Sequence, residues 1–546
     1  MPGTGGAGNR GRTRGRQLRA ADRVHPQGRR SGVSAVRNVR DAVVIGGGPT
    51  GLTLAIALRR YGIDTVVVDK SPGTKRESRA SVIWQRALEA MRDLGCADAL
   101  MGEGLPLSRA EFHVRGRPAG SHEMHMPDTA YPGPLSIEQD AVERLLHDRL
   151  RQLGPDVQWS TEAVAVRLGE DSAEVDLRGP DGHTRTVGCR WVIGCEGSRS
   201  IVRKSLGVPF EGERRPDLQC LQLNAKPDWS LPYDPAVTHI FINHGVTLIA
   251  DAVPGGATRF FAFCPDPDPT LQRPPTQKEM ESTVARATGE AGVRLVPTDP
   301  HWANRSRFQD RLAVTLRRGQ ALLAGDSAHL WAPIGGRGLN TSLLGAHNLG
   351  WKLAAVHHGW APDALLDTYS TEQRHTAREV MRHMRRNVLE LPPNRPTLAA
   401  IGLLLPHVLR SERMGHQGSL LLSDFARNHR ASALSTGRGG RGGPRPGDRL
   451  PDLAVTSETG PARLHDLLSY QRWSLLLTGD GGDSAELRKL TEKYVMPIAL
   501  FRIRTEPPSD GTLLLVRPDG HIGLRARTSD DRALRSYLDR WFVRRK

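Results

Sequence analysis

The feature that most constrains this chain is a glycine turn set between an apolar run and a helical one. Ala42, Val43, Val44 and Ile45 lead into Gly46, Gly47, Gly48, Pro49, Thr50 and Gly51. A helical pattern follows to Gly62, then a second apolar run, Thr65 to Val68, ends at Asp69 and Lys70. This G-x-G-x-x-G spacing predicts a strand–turn–helix–strand unit of the dinucleotide-binding kind. Gly46 permits the tight turn, Gly48 lets backbone approach a pyrophosphate, and Gly51 lets helix and strand pack closely. The helix N-terminus, opened by Pro49 and Thr50, offers unpaired N–H groups and a partial positive charge to phosphates. Asp69, about 20 residues past the last glycine, stands where a ribose-binding carboxylate belongs. The motif alone does not choose between NAD and FAD.

A second pattern makes that choice. Ala321 to Ala324 reads as a buried strand, Gly325 and Asp326 as an exposed turn, and Pro333, Gly335, Gly336, Gly338, Leu339 and Asn340 as a glycine loop opening a helix through Trp351. A second helix N-terminus aimed at the same ligand suits reduced flavin, which carries negative charge that free N–H groups stabilise. Asp326 is expected to bond a sugar or ribityl hydroxyl. No further G-x-G-x-x-G set between an apolar run and a helical one follows, so a nicotinamide cofactor has no domain of its own and is expected in a surface groove.

At 546 residues the chain is too long for one core, and two or three domains are expected. The expected fold is α/β: a Rossmann-type FAD domain over 41–426, with a sheet-rich substrate domain inserted at about 100–130 and 205–305. A Gly- and Arg-rich linker over 427–446 and a small C-terminal α/β domain over 447–546 follow. In that last domain strands are expected near 473–477, 498–503 and 511–517 and a helix near 485–494. The apolar run 398–405 reads as a short buried helix stopped by Pro406.

Residues 1–40 hold ten Arg against one acid, about half of the formal +17. That tail has too few apolar residues to offset its ordering entropy and is expected to be disordered. With its charge set aside, no nucleic-acid partner is implied, and no apolar run reaches the roughly 20 residues of a membrane span. Five cysteines without a CxxC pair or an export signal suit reduced thiols in a cytoplasm. Asp326, Ser327 and His329 sit too close in sequence to converge as a hydrolase triad. His122 and His125 read as a solvated loop rather than a metal site.

These stretches together resemble the single-component flavoprotein aromatic hydroxylases typified by para-hydroxybenzoate hydroxylase. Within that family the chain is similar to the branch of phenol, rifampicin and aromatic-polyketide hydroxylases. The matching segments are 46–69, Glu77 to Ala80, Gln139 ahead of 142–146, 194–203 and 325–355. The C-terminal region, at 446–452, 464–468 and 515–521, resembles that branch's thioredoxin-like domain. It holds no cysteine and so runs no dithiol chemistry, which leaves an interaction or dimer-supporting role.

The resemblance implies an FAD-dependent monooxygenase. It would use NAD(P)H (NADPH in preference) and O2 to hydroxylate an aromatic, polycyclic, polyketide-like small molecule through a flavin hydroperoxide. It implies Arg79 and Gln139 at the FAD phosphate and sugar, Glu196 and Gly197 serving both FAD and nicotinamide, and Pro333 with 335–340 against the isoalloxazine. No protein acid or base is assigned. Phe241, Phe261, Phe263, Trp84 and Trp331 are candidate substrate lining. Three positions depart from the family's usual residues: Asp69 for Glu, Glu196 for Asp, and Gly345 for Asp. Two alternatives stay open in the sequence, a Baeyer–Villiger oxygenase of the same fold and a catalytically weak flavin- or ligand-binding homologue.

Overall fold

The computed structural model describes residues 39–74, 81–298, 301–332, 334–387, 391–437, 443–458, 460–479, 483–504 and 511–546. The basic tail to residue 38, the segment with Arg79, and Pro333 lie outside them.

The run at 42–45 is apolar at every position because the Arg40–Ile45 strand is covered on both faces, as parallel strands are. It pairs in parallel with Thr65–Val68 on one side and Thr184–Gly194 on the other, and Ala321–Leu323 extends the sheet parallel to the latter. Arg317–Arg318 and the hairpin Glu162–Leu168 and Ala173–Arg178 complete a seven-stranded sheet. Helix Pro49–Arg60 packs along the 21-residue helix Arg337–His357. Their contact is close because Gly350 faces Ala57: a Cβ on Gly350 would sit 2.6 Å from the Ala57 Cβ.

A nine-stranded sheet is assembled from Arg109–Val114, Arg117–Glu123, six strands between Phe210 and Ala313, and His329–Leu330 at its edge. Its long strands alternate. Phe260, Leu248 and Phe241 point to the face covered by helix Gln277–Thr288, whose N-terminus carries a Thr276/Glu279 capping box. Phe261 and Phe263 point to the opposite face, where they cluster with Trp331 and Phe308.

The C-terminal sheet has Trp473–Thr478, Ile498–Arg504 and Thr512–Val516 where strands were expected, with helix Ser484–Thr491 beside them. Buried ions join this sheet to the flavin-type domain. Arg449 donates to Glu89 at 2.8 and 2.5 Å and to Asp128 at 2.8 Å. Arg517 donates to Glu372 at 2.8 and 3.0 Å, while Asp519 accepts from Asn348 at 2.8 Å and Trp351 Nε1 at 3.0 Å. Burial alone would raise the Glu89 carboxyl, but Arg449 holds it down at about 2. The C-terminal region therefore grips the rear of helix Arg337–His357.

Two expectations are corrected. The apolar run at 398–405 belongs to helix Arg395–Arg410, which continues through Pro406. Leu398, Ile401 and Leu405 bury one face, while Leu403 and Leu404 are exposed. Proline forfeits one helical bond, and the buried face carries the helix past it. His122 lies not in a loop but on strand Arg117–Glu123, with Nε2 2.7 Å from Ser419 Oγ. No described helix is long and apolar enough to cross a membrane.

Candidate functional site

The first glycine turn is fixed by backbone crowding. Gly46 has φ +114°, and a Cβ there would stand 2.5 Å from the Cys195 carbonyl oxygen. A Cβ on Gly51 would collide with the carbonyl oxygen of Gly46. Gly48 is the opposite case: a Cβ there meets nothing within 4 Å. Gly48 caps helix Pro49–Arg60 without any side-chain bond to the first-turn N–H groups. The turn thus presents open space in front of helix donors, the cradle an anionic phosphate needs. Asp69 accepts from the Gly47 N–H at 2.7 Å and the Ser71 N–H at 2.8 Å, so its carboxylate is oriented at the turn. Lys70 beside it is exposed.

Two more segments close on this turn. Gly325 packs against Thr50, where a Cβ would collide with Thr50 Oγ1. Asp326 is exposed on the same short turn. Ser327, behind it, donates to Glu196 Oε2 at 3.2 Å and accepts from the Gly197 N–H at 3.0 Å. Glu196 Oε1 accepts from Ser200 Oγ at 2.7 Å and the Val202 N–H at 2.9 Å. The extra methylene of Glu over Asp is used here, because the side chain bridges a helix start to the Asp326 turn. Burial raises this carboxyl above its usual range against the pull of those donors.

The second glycine loop is fixed by side chains. Gly335 and Gly336 have φ of 67° and 63°, left-handed values that favour glycine. Gly336 caps helix Arg337–His357 with no side-chain bond, and a Cβ on Gly338 meets nothing within 4 Å. Asn340 is fully buried. Its Oδ1 accepts from the Trp84 N–H at 2.8 Å, and its Nδ2 donates to Val82 O at 2.9 Å and Gly336 O at 2.7 Å. Trp84 Nε1 donates to Gly335 O at 2.8 Å. Trp84 is therefore a strut of the loop. Leu339 is half-buried on the first turn. At Gly345, farther along, Gln373 Oε1 lies 3.1 Å from where a Cβ would stand.

Gln139 begins helix Gln139–Gln152, with Nε2 2.9 Å from Glu143. The residue before it belongs to a buried polar group that sequence reasoning missed. Glu138 accepts from Arg259 Nη2 at 2.6 Å and Asn224 Nδ2 at 2.7 Å. Across the sheet from Arg259 stands Asp251, which burial pushes up to about 6. Of the candidate lining, Phe261, Phe263 and Trp331 share one face of the large sheet, and Phe241 is on the other. Period-2 alternation predicts two faces but not which one meets the cofactor domain. The Trp331 indole N–H is buried without a partner among the described residues, and the ring stacks on His329 at 4.7 Å. Burial, with Arg427 adding to it, lowers His329 to about 3, so the imidazole is neutral.

The glycine cradles and uncapped helix starts fit FAD, and comparison with known proteins gives the same result. Residues 40–384 match a family described as "FAD binding domain", and 443–544 match one described as "Aromatic-ring hydroxylase, C-terminal". The 6-methylpretetramide 4-monooxygenase of Streptomyces rimosus is 30% identical over 91% of this chain and 92% of its own length. A dialkyldecalin synthase of Streptomyces rugosporus is 31% identical over 92% of this chain and 99% of its own. The solved structure of an anhydrotetracycline hydroxylase from Streptomyces rimosus superposes with a TM-score of 0.73 at 28% identity, covering 92% of this chain and 99% of that one. With the glycine turn, the flavin-type loop and the C-terminal region all accounted for over nine-tenths of its length, this chain belongs to the FAD-dependent aromatic-ring hydroxylases.

Proposed function

We propose that this flavin monooxygenase uses NAD(P)H and O2 to hydroxylate a polycyclic phenolic substrate, held between the loop at 335–340 and the sheet face that carries Phe261, Phe263 and Trp331. One observation carries the reading. Two helix starts lack side-chain caps, and each has a glycine, Gly48 or Gly338, open to space.

The Gly46–Gly51 turn and its helix would hold the FAD pyrophosphate, with Asp69 on a ribose hydroxyl and Asp326 and Gln139 at neighbouring hydroxyls and phosphate. FAD, when bound, supplies the transfer of electrons to O2 and of one oxygen atom to an electron-rich ring. The start of helix Arg337–His357 would place its partial positive charge where the reduced ring carries negative charge. The names of two relatives, 6-methylpretetramide 4-monooxygenase and anhydrotetracycline monooxygenase, support the polycyclic substrate class. Trp331 gives the apolar face a donor for a substrate hydroxyl or carbonyl. The rest of that face excludes water.

A second reading is favoured by the 31% identity to a dialkyldecalin synthase, which shows the family scaffold in a protein not named for oxygenation. Rapid mixing separates the two. The FAD-loaded enzyme is reduced anaerobically with NADPH in the presence of a panel of polycyclic phenols, and O2 is then admitted. Substrate-accelerated flavin bleaching and a product heavier by one oxygen are expected. Flavin that stays oxidised with every phenol, and no oxygenated product, would reject the oxygenase in favour of the synthase-like reading.

A further inference from the structure

On the face of the large sheet that Phe261 and Phe263 do not occupy, three potential ligands converge. Strand Val237–Asn243 pairs in parallel with Arg109–Val114, in a register that sets His239 opposite Glu111 and Phe241 opposite His113. Side chains two residues apart share a face, so Glu111, His113 and His239 gather on one side. His113 Nε2 lies 3.4 Å from His239 Nδ1, and Glu111 Oε2 lies 3.6 Å from the same nitrogen. All three ligand atoms fall within 4.8 Å of one another.

These separations are long for hydrogen bonds, which cluster at about 2.9–3.0 Å for a nitrogen donor. The two separations at His239 Nδ1 lie near another geometry. Around a tetrahedral ion with bonds of about 2.0–2.1 Å, neighbouring ligand atoms stand about 3.3–3.4 Å apart. We propose that Glu111, His113 and His239 form a binding site for a divalent transition ion of the Zn2+ class, with its fourth position open to solvent.

The surroundings support that assignment. Of the three, His239 lines a cavity of about 170 Å3, with Trp229, Tyr233, Asp234 and Lys226, which opens a path to the site from the His239 side. Phe241 stacks on His113 with ring centroids 4.5 Å apart, and Trp229 stands edge-on to His239 at 6.2 Å, so the imidazoles are held in an apolar frame. Arg109 Nη2 sits 3.0 Å from Glu111 Oε1, which fixes the carboxylate with its other oxygen toward the imidazoles. Such outer partners orient metal ligands. The Arg109 charge also weakens cation binding, so the site is exchangeable rather than permanent. Two imidazoles and one carboxylate are an N/O set that suits Zn2+, Cu2+ or Ni2+ over Ca2+ or Mg2+.

The site is separate from the flavin chemistry and would brace it from behind. The strands it joins come from distant parts of the chain, and their other faces carry Phe112, Ile240 and Ile242 into the cluster with Trp84, the strut of the glycine loop. An ion would crosslink these strands.

The test uses the FAD-loaded full chain, stripped with chelator and titrated with Co2+ as a spectroscopic stand-in for Zn2+. One equivalent with the intense visible bands of a tetrahedral site is expected, displaced by Zn2+ and accompanied by a higher Tm. His239→Ala and His113→Ala should each weaken binding at least tenfold while flavin content is retained. Glu111→Gln, at a partly exposed position, makes the same test should either histidine variant fail to fold. No uptake by the wild type at micromolar Co2+, an octahedral spectrum, or equal uptake by the Glu111→Gln and histidine variants would overturn the site.

Discussion

The two glycine segments facing the proposed flavin are built on different principles. At 46–51 the chain is locked by its own backbone, with Gly46 against the Cys195 carbonyl and Gly51 against the Gly46 carbonyl. At 335–340 Gly336 and Gly338 have room, and the loop is held by side chains, the Asn340 amide and the Trp84 indole. A backbone lock has no soft neighbour that can give way, whereas a side-chain tie can be weakened by degrees. A rigid clamp at the proposed phosphate site beside a tunable loop at the proposed ring site would suit a family that keeps one cofactor and varies its substrates.

The largest effect is expected at the first turn. Gly51→Ala places a methyl on the Gly46 carbonyl and should give protein that is insoluble or colourless, read by flavin absorbance after purification. Asn340→Ala comes next. It removes three buried hydrogen bonds and leaves the Trp84 N–H without its partner, which costs about 2–4 kcal/mol. Folded protein that binds FAD some tenfold or more weaker is expected, measured by flavin fluorescence on titration. Equal damage from both variants would break the contrast between lock and tie. Gly48→Ala and Gly338→Ala sharpen it, since neither methyl meets protein within 4 Å. Both apoproteins should melt like the wild type. If the cradles hold FAD, both should bind it about tenfold more weakly, about 1.4 kcal/mol, and unchanged FAD affinity would place the cofactor elsewhere.

The first lock was legible in the sequence because most of its chemistry is local, although the Cys195 carbonyl that crowds Gly46 comes from the end of a distant strand. Three glycines, the run at 42–45 and Asp69 all fall within one strand–helix–strand unit. The second loop was legible as glycines but not as a structure. The residues that hold it, Trp84 and Val82, lie some 250 positions away in the chain. Trp84, read as candidate substrate lining, ties the loop through its indole N–H. The same limit hid the cluster of Glu372 with Arg517 and Asp519, since no spacing rule links a residue on helix Leu365–Arg386 to a turn of the C-terminal region some 145 positions on. It also hid the pairing that brings Glu111 and His239 together. Phe241 was placed with Phe261 and Phe263 because alternation gives parity within a strand, and facing depends on the neighbouring strand's register.

The smallest expected effect concerns charge and separates the two regions by pH. The tie from Glu196 to Ser327, Ser200 and the Val202 N–H contains an ionisable group, whereas Asn340 and Trp84 do not titrate. Burial raises Glu196 above its unfolded value, so the folded protein binds that proton more tightly. Such a group stabilises most at pH below its unfolded pKa, and the contribution is lost as pH rises through the folded one. Glu196→Gln keeps the shape, with the amide oxygen accepting from Ser200 and Val202 and the amide nitrogen donating to Ser327 Oγ. Relative to wild type, the variant's Tm should therefore improve as pH rises from 4 to 8, while Trp84→Phe, losing one bond worth about 1 kcal/mol, should show a pH-independent offset. A flat difference for Glu196→Gln would mean that this carboxyl is as well solvated by these three donors as by water. The Asp326 turn would then be held by hydrogen bonds alone, on the same footing as the glycine loop.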